Sequence, residues 1–261
     1  MKTATNQTIY DIINDFAPFE TQEEYDNSGF LIGDINSEVS RVLIALDVTP
    51  EVIEEALQRQ AQLLISHHPL MFHPVKSIRD DTYDGLILSK LVKSGLSLIS
   101  AHTNLDVSGL SGGAVIAKRL GLSNIRAGKD PVLTLGEFQE PLTVRELGKM
   151  IGDLIGMRPR CYGSLDTKVS VLALAGGAYD TGFTNARAEG ADALLTGEVR
   201  YHNAIAASQS GFVLFDGGHY HTEAWMMDEL AFYLQNRLNL LQYSVEVYAS
   251  ELHHGSEGYT L

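Results

Sequence analysis

Three times in this 261-residue chain an apolar, strand-like run stops and imidazoles or carboxylates follow at once. The segments are Ser66-His67-His68-Pro69, His102-Thr103-Asn104-Leu105-Asp106 and Gly218-His219-Tyr220-His221-Thr222-Glu223. Side chains at the ends of neighbouring parallel strands converge, so segments distant in sequence can build one pocket. Imidazole nitrogen and carboxylate oxygen are donors that zinc, manganese, iron and nickel accept. The expectation is a metal site of two ions that activates water.

Adjacent residues of an extended chain point to opposite sides, so His67 and His68 suit two neighbouring ions better than one. Standing alone, His-His-Pro reads more simply as a pair of hydrogen-bonded histidines at a strand end. Asp106 is a carboxylate able to bridge two cations, although an aspartate ahead of Ser108-Gly109 also serves as an ordinary turn residue. His102 is open between ligand, partner of a ligand and proton carrier. His219 and Glu223 follow Gly217-Gly218, where the backbone can turn sharply. A glutamate expected at a helix start also sits well in the helix dipole. The plainer reading is a helix-start glutamate beside a surface histidine.

Other polar residues carry weaker signals. Glu198 and His202, in Thr196-Gly197-Glu198-Val199-Arg200-Tyr201-His202, are candidates for substrate contact or for simple helix capping. His73 reads as structural, and His221 points elsewhere if His219 points inward. His253 and His254 read as solvated tail residues. Gly176-Gly177 lacks the lysine pattern of a phosphate-binding glycine loop and is weak evidence for phosphate. The single Cys161 offers no disulfide and no thiolate cluster, and reads as an inert thiol.

The elements that must position these residues alternate strand and helix. Strands are expected at 42–48, 62–66 and 96–101, with helices from Pro50 to about Arg59, at 83–94 and at 111–120. Thr49-Pro50-Glu51 gives a cap, a proline at the first helical position and an early acid, and Gly121 is a helix stop. Farther on, Thr143-Val144-Arg145-Glu146 is a capping box, and 169–175, 181–189, 193–196, 201–208 and 212–216 repeat the alternation. A helix at 223–238 and a strand at 244–249 close the chain. This is an α/β class protein of two lobes with mostly parallel, helix-covered sheets. The boundaries read as 1–127 and 217–261 for the first lobe, carrying most metal ligands, and 128–216 for the second.

A net charge of -14 argues against a nucleic-acid partner. A small phosphorylated substrate is compatible with it, because bound divalent ions reverse the local field. No apolar run approaches the roughly 20 residues of a membrane helix, and no secretory segment is read at the start, so the expected location is cytoplasmic.

Taken in order, the motifs resemble the NIF-three-like, or GTP cyclohydrolase I type 2, family of dinuclear-metal proteins. They are Asp26-Asn27-Ser28-Gly29, Ser66-His67-His68-Pro69, His102 to Asp106, Gly176-Gly177, Thr196-Gly197-Glu198 with Tyr201-His202, and Gly218-His219 with Thr222-Glu223. The resemblance runs over nearly the whole chain. It implies two-lobed α/β subunits in a ring-shaped hexamer, with metal sites facing an interior cavity. It implies two divalent ions per subunit, zinc, iron, manganese or nickel, on His67, His68, Asp106, His219 and Glu223, with Glu223 bridging. His221 departs from the pattern. The implied reaction is opening of the guanine imidazole ring of GTP with loss of formate, giving dihydroneopterin triphosphate. For that reaction His102 is the candidate catalytic proton donor, because histidine exchanges protons near physiological pH. Two other readings stand beside it: a metal-delivery protein without turnover, and a two-metal phosphoesterase acting on nucleotides.

Overall fold

The computed structural model describes residues 2–252, so His253 and His254 lie outside the described residues. The chain divides into two compact units, the first running to Ser108 and resuming at Met227, the second being Gly109–Met226. The first begins with β1 (Ala4–Thr5), α1 (Asn6–Phe16), β2 (Gly29–Ile32), β3 (Glu38–Val39), β4 (Arg41–Ala45) and α2 (Pro50–Gln58). It continues with β5 (Leu63–Ser66), α3 (Tyr83–Ser94), β6 (Ser97–Ser100) and α4 (Thr103–Asp106). The second holds α5 (Gly112–Arg119), β7 (Ser123–Ala127), β8 (Thr134–Thr143), α6 (Val144–Ile155), β9 (Arg160–Tyr162) and β10 (Lys168–Leu174). It ends with α7 (Phe183–Ala188), β11 (Ala193–Thr196), α8 (Tyr201–Gln209) and β12 (Val213–Asp216). Helix α9 (His219–Leu240) contributes to both units, and β13 (Glu246–Ala249) belongs to the first.

The first unit is a five-stranded sheet in the order β13-β4-β5-β6-β2, parallel except for β2, which runs against β6. Leu43, Leu64 and Leu98 of its strands pack with Val52, Ile53 and Ala56 of α2 and Ile87 and Leu91 of α3. Helix α2 starts as its sequence predicts: the Thr49 side chain accepts from Val52 N, with Pro50 at the first helical position.

The second unit's six strands run β7-β8-β10-β11-β12-β9. Alternate residues serve opposite faces. Leu172, Leu174, Leu195, Val213 and Phe215 meet Ile116 and Ala117 of α5, Leu120 that caps it, and Leu147, Ile151 and Ile155 of α6. Ala173, Leu194 and Leu214 meet Ala186 of α7 and Ala207 of α8 on the other side. Both faces are covered, which is why these strands read as unbroken apolar runs rather than alternating ones. Each fully buried Leu, Ile or Phe contributes about 1.5–3 kcal/mol relative to exposure.

Two expectations are corrected here. This sheet is not mostly parallel: only β10–β11 and β11–β12 are, while β7–β8, β8–β10 and β12–β9 are antiparallel. For β7–β8 the cause is local: the two are joined by a tight turn in which Gly128 N donates to Leu133 O at 2.7 Å, leaving no room for a crossover helix. The boundaries also move, from 127/128 to Ser108/Gly109 and from 216/217 to Met226/Met227. Helix α5 shares the α6 core and β7 pairs with β8, so both join the second unit. His219 and Glu223 therefore belong to the second unit rather than to the first.

Candidate metal centre

Parallel strands β4, β5 and β6 deliver Asp47, then His67 and His68, then His102, just beyond their carboxyl ends. Strand β2 is antiparallel, and Gly29 pairs with Ser100, so residues 26–28 enter at that same end. The rings of His67, His68 and His102 cluster, with centroids 5.0 Å apart for His67–His68, 5.0 Å for His67–His102 and 5.6 Å for His68–His102. One nitrogen from each lies within 4.8 Å of the others. Asp106, at the end of α4, brings Oδ1 to 3.7 Å from His67 Nε2.

Each imidazole is anchored through Nδ1. His67 Nδ1 meets Ala101 O at 2.9 Å, His68 Nδ1 meets Asp47 Oδ1 at 2.7 Å and His102 Nδ1 meets Asp26 Oδ1 at 2.8 Å. A carbonyl or carboxylate acceptor there places the ring proton on Nδ1 and the lone pair on Nε2, the arrangement usual for histidines that ligate metals. Asp26 is tied down in turn. Thr103 N donates to its Oδ2 at 3.0 Å, and the hydroxyl groups of Ser28 and Thr103 also bond it. Burial opposes its charge, yet hydrogen bonds from His102 and Thr103 outweigh burial and hold the carboxyl well below the usual carboxylate range. Tyr25, exposed beside this corner, has its phenol pushed up by partial burial and by the charges of Glu23, Asp26 and Asp106.

In the second unit, parallel strands β10, β11 and β12 end at Gly176-Gly177, Gly197-Glu198 and Gly217-Gly218-His219. His219 opens α9, so Glu223 stands one turn inside that helix, not at its start as the sequence suggests. His219 Nε2 lies 3.1 Å from Glu223 Oε2, and His219 Nδ1 meets Glu198 Oε1 at 2.6 Å. The anchoring seen in the first unit is thus repeated. Gly177 takes φ +59°, and a Cβ there would come within 2.3 Å of Glu223 Oε1. The Gly176-Gly177 pair therefore makes room for a carboxylate of the chain itself. Thr222 secures the same corner, accepting from Gly177 N at 3.2 Å and donating to Gly218 O at 3.0 Å.

Of the remaining sequence candidates, Glu198 is placed on His219, and His202 is exposed with its ring 5.6 Å from Tyr201. His221 falls in none of the candidate ligand groups among the described residues. Asp47 and Asp26 were not singled out as site residues from sequence. The signal for Asp26 lay in its motif, while a lone aspartate after a strand carries none. The donor set is nitrogen and oxygen throughout, with no sulfur. Its anchored tautomers fit zinc, iron, manganese or nickel.

A mixed α/β protein whose strand ends carry histidine and carboxylate groups able to hold metal is the class defined by these features. The chain belongs to the DUF34/NIF3 (NGG1p interacting factor 3) family, whose profile matches residues 4–255. A GTP cyclohydrolase 1 type 2 homolog of Clostridium perfringens is 32% identical over 241 residues, 88% of this chain and 91% of that protein. The GTP cyclohydrolase 1 type 2 of Helicobacter pylori J99 is 33% identical over 225 residues, 82% of this chain and 85% of its own. The crystal structure of Staphylococcus aureus hypothetical protein SA1388 superposes with TM-score 0.93 at 28% identity, covering 99% of this chain and 100% of that one. Among the described residues no helix is long and apolar enough to cross a membrane.

Proposed function

We propose that this protein is a metal-dependent hydrolase in which His67, His68, Asp106, His219 and Glu223 hold two divalent ions. The observation that carries the reading is the shared anchoring of the imidazoles: Ala101 O, Asp47 and Glu198 each take the Nδ1 proton of a proposed ligand, leaving Nε2 as its donor atom. Asp106 and Glu223 supply the negative charge that offsets two dications. The chemistry such ions would supply there is activation of water, whose pKa a bound divalent ion can lower from about 15.7 to about 7.

The substrate reading follows the names of the relatives: GTP, with addition of water at C8 of guanine, opening of the imidazole ring to a formamide, and hydrolysis of that formamide by a second water to release the carbon as formate. His102 is the proposed proton donor to the opening ring: its Nε2 first takes a proton, and the imidazolium so formed, held through Nδ1 by the Asp26 carboxylate, passes that proton on. Glu198, beyond its bond to His219, and His202 are the proposed contacts for polar parts of the substrate. The proposed assembly is a ring-shaped homohexamer, tested by its mass in solution.

The experiment is formate release from GTP by protein reconstituted with zinc or manganese, with Asp106→Asn alongside. The expected result is formate from the parent and its loss, together with lost metal, in the variant. Metal-loaded parent that releases no formate would overturn the ring-opening reading. Metal delivery or nucleotide phosphoester hydrolysis would then take its place, and phosphate release would separate those two.

A further inference from the structure

We propose that Phe72 and Tyr25 form a stacking platform beside the His67–His68–His102 cluster that takes the planar heteroaromatic base of a nucleotide. This deepens the hydrolase reading and rests on it for the identity of the base.

Between β5 and α3 the chain forms no helix or strand, and this stretch carries exposed apolar residues: Phe72 at 37%, Val75 at 43% and Ile78 at 60%. Tyr25, on the segment leading into β2, is 65% exposed. Exposed aromatic side chains in contact with each other and with a cluster of polar, titratable groups are the arrangement expected of a ligand site. Here Tyr25 and Phe72 are joined to the cluster ring by ring. Phe72 lies 6.1 Å from Tyr25 and 6.0 Å from His102, edge to face with the latter at 79°. His73 lies against the same ring at 5.1 Å.

The two aromatics are held in place. Asn27 Nδ2 donates to Met71 O at 2.7 Å, tying the residue next to Phe72 to the segment that bears Tyr25. Asp26 N donates to Glu23 O at 2.9 Å, closing a turn with Tyr25 inside it, and Asp26 itself is bonded to His102. One network thus fixes both the platform and the imidazole proposed to move the proton. A base stacked on Phe72 lies next to His102. With a net charge of -14 the chain as a whole repels a polyphosphate, so affinity must come from bound cations and from a neutral contact, and every base offers a π-face to an aromatic side chain.

The test uses the metal-loaded protein and calorimetric titration with GTP and, separately, with inorganic triphosphate. Phe72→Ala, Phe72→Trp and Tyr25→Ala are compared at exposed positions, with mass in solution measured for each. Phe72→Ala is expected to weaken GTP about tenfold or more, Trp to restore it, and triphosphate affinity and assembly to stay unchanged. Three results overturn the proposal: a parent that binds no GTP, variants that bind it as the parent does, or equal weakening of GTP and triphosphate. A change of assembly would also overturn it, giving the patch instead to contact between copies. Formate from a parent whose GTP affinity ignores Phe72 removes the platform alone. Affinity that follows Phe72 without formate removes ring opening and keeps the platform.

Discussion

His219 donates its Nδ1 proton to Glu198 across 2.6 Å, so a carboxylate just past one strand orients the imidazole that opens the helix after the next. Asp47 does the same for His68 at 2.7 Å. Neither carboxylate needs to touch a metal ion to matter. Removing such a partner typically costs about 10–100-fold in metal affinity. Glu198→Ala and Asp47→Ala are each expected to show a loss of that size in competition titrations with a chelator, with unchanged circular dichroism. If Glu198→Ala instead keeps its metal and raises only KM, Glu198 serves the substrate alone.

Gly177 stands where a methyl group would strike the Glu223 carboxylate, and its φ of +59° is unfavourable for alanine as well. Gly177→Ala is expected to lose metal and to lower Tm by a few degrees, each kcal/mol being worth roughly 2–4 °C in a chain of this size. Gly211 separates the two effects: its φ is +77° with nothing within 4 Å of an added Cβ. Gly211→Ala should lower Tm in a similar way yet keep its full metal content. Metal loss in both variants would refute a specific role for Gly177.

Burial pushes the Cys161 thiol up to about 11. Only the thiolate is alkylated, so at pH 8 the folded protein should react with iodoacetamide roughly a hundredfold more slowly than its denatured form, whose thiol titrates near 8.5. The rate should climb steadily from pH 8 to pH 11. A fast reaction at pH 8 would mean that Cys161 is not held in this environment.

What the sequence reveals depends on whether a signal is local. The Thr49-Pro50 start, the Thr143–Glu146 capping box and the helix Tyr83–Ser94 are all set by neighbouring residues, and the structure has them as expected. The motifs ending in His67-His68 and in His219 likewise follow strands that chain periodicity reveals. Partners set by pairing across the sheet were not legible. Strand β2 is short, and every residue in it is only partly buried, so no apolar alternation marks it. Its antiparallel pairing with β6 is what carries Asp26 to His102. The glycines at 176 and 177 were read against phosphate, because nothing nearby in sequence announces a carboxylate 46 residues later in the case of Gly177. The start of helix α9 at His219 rather than near Glu223 was not legible either, because Gly218, not a Ser, Thr, Asp or Asn, stands before it to flag a cap.

Strand β13 completes the first sheet beside β4, where Arg41 meets Glu246 across a separation of 205 residues. A ribosome emits all of Gly109–Met226 before it emits that strand. During synthesis, then, the intervening unit can close early, while β4 waits with one row of amide and carbonyl groups open to chance pairing. Contacts of such long range also form slowly. The nascent chain therefore passes through a stage in which the histidine-bearing sheet lacks its outer strand, and that stage is the one a chaperone would have most reason to shield.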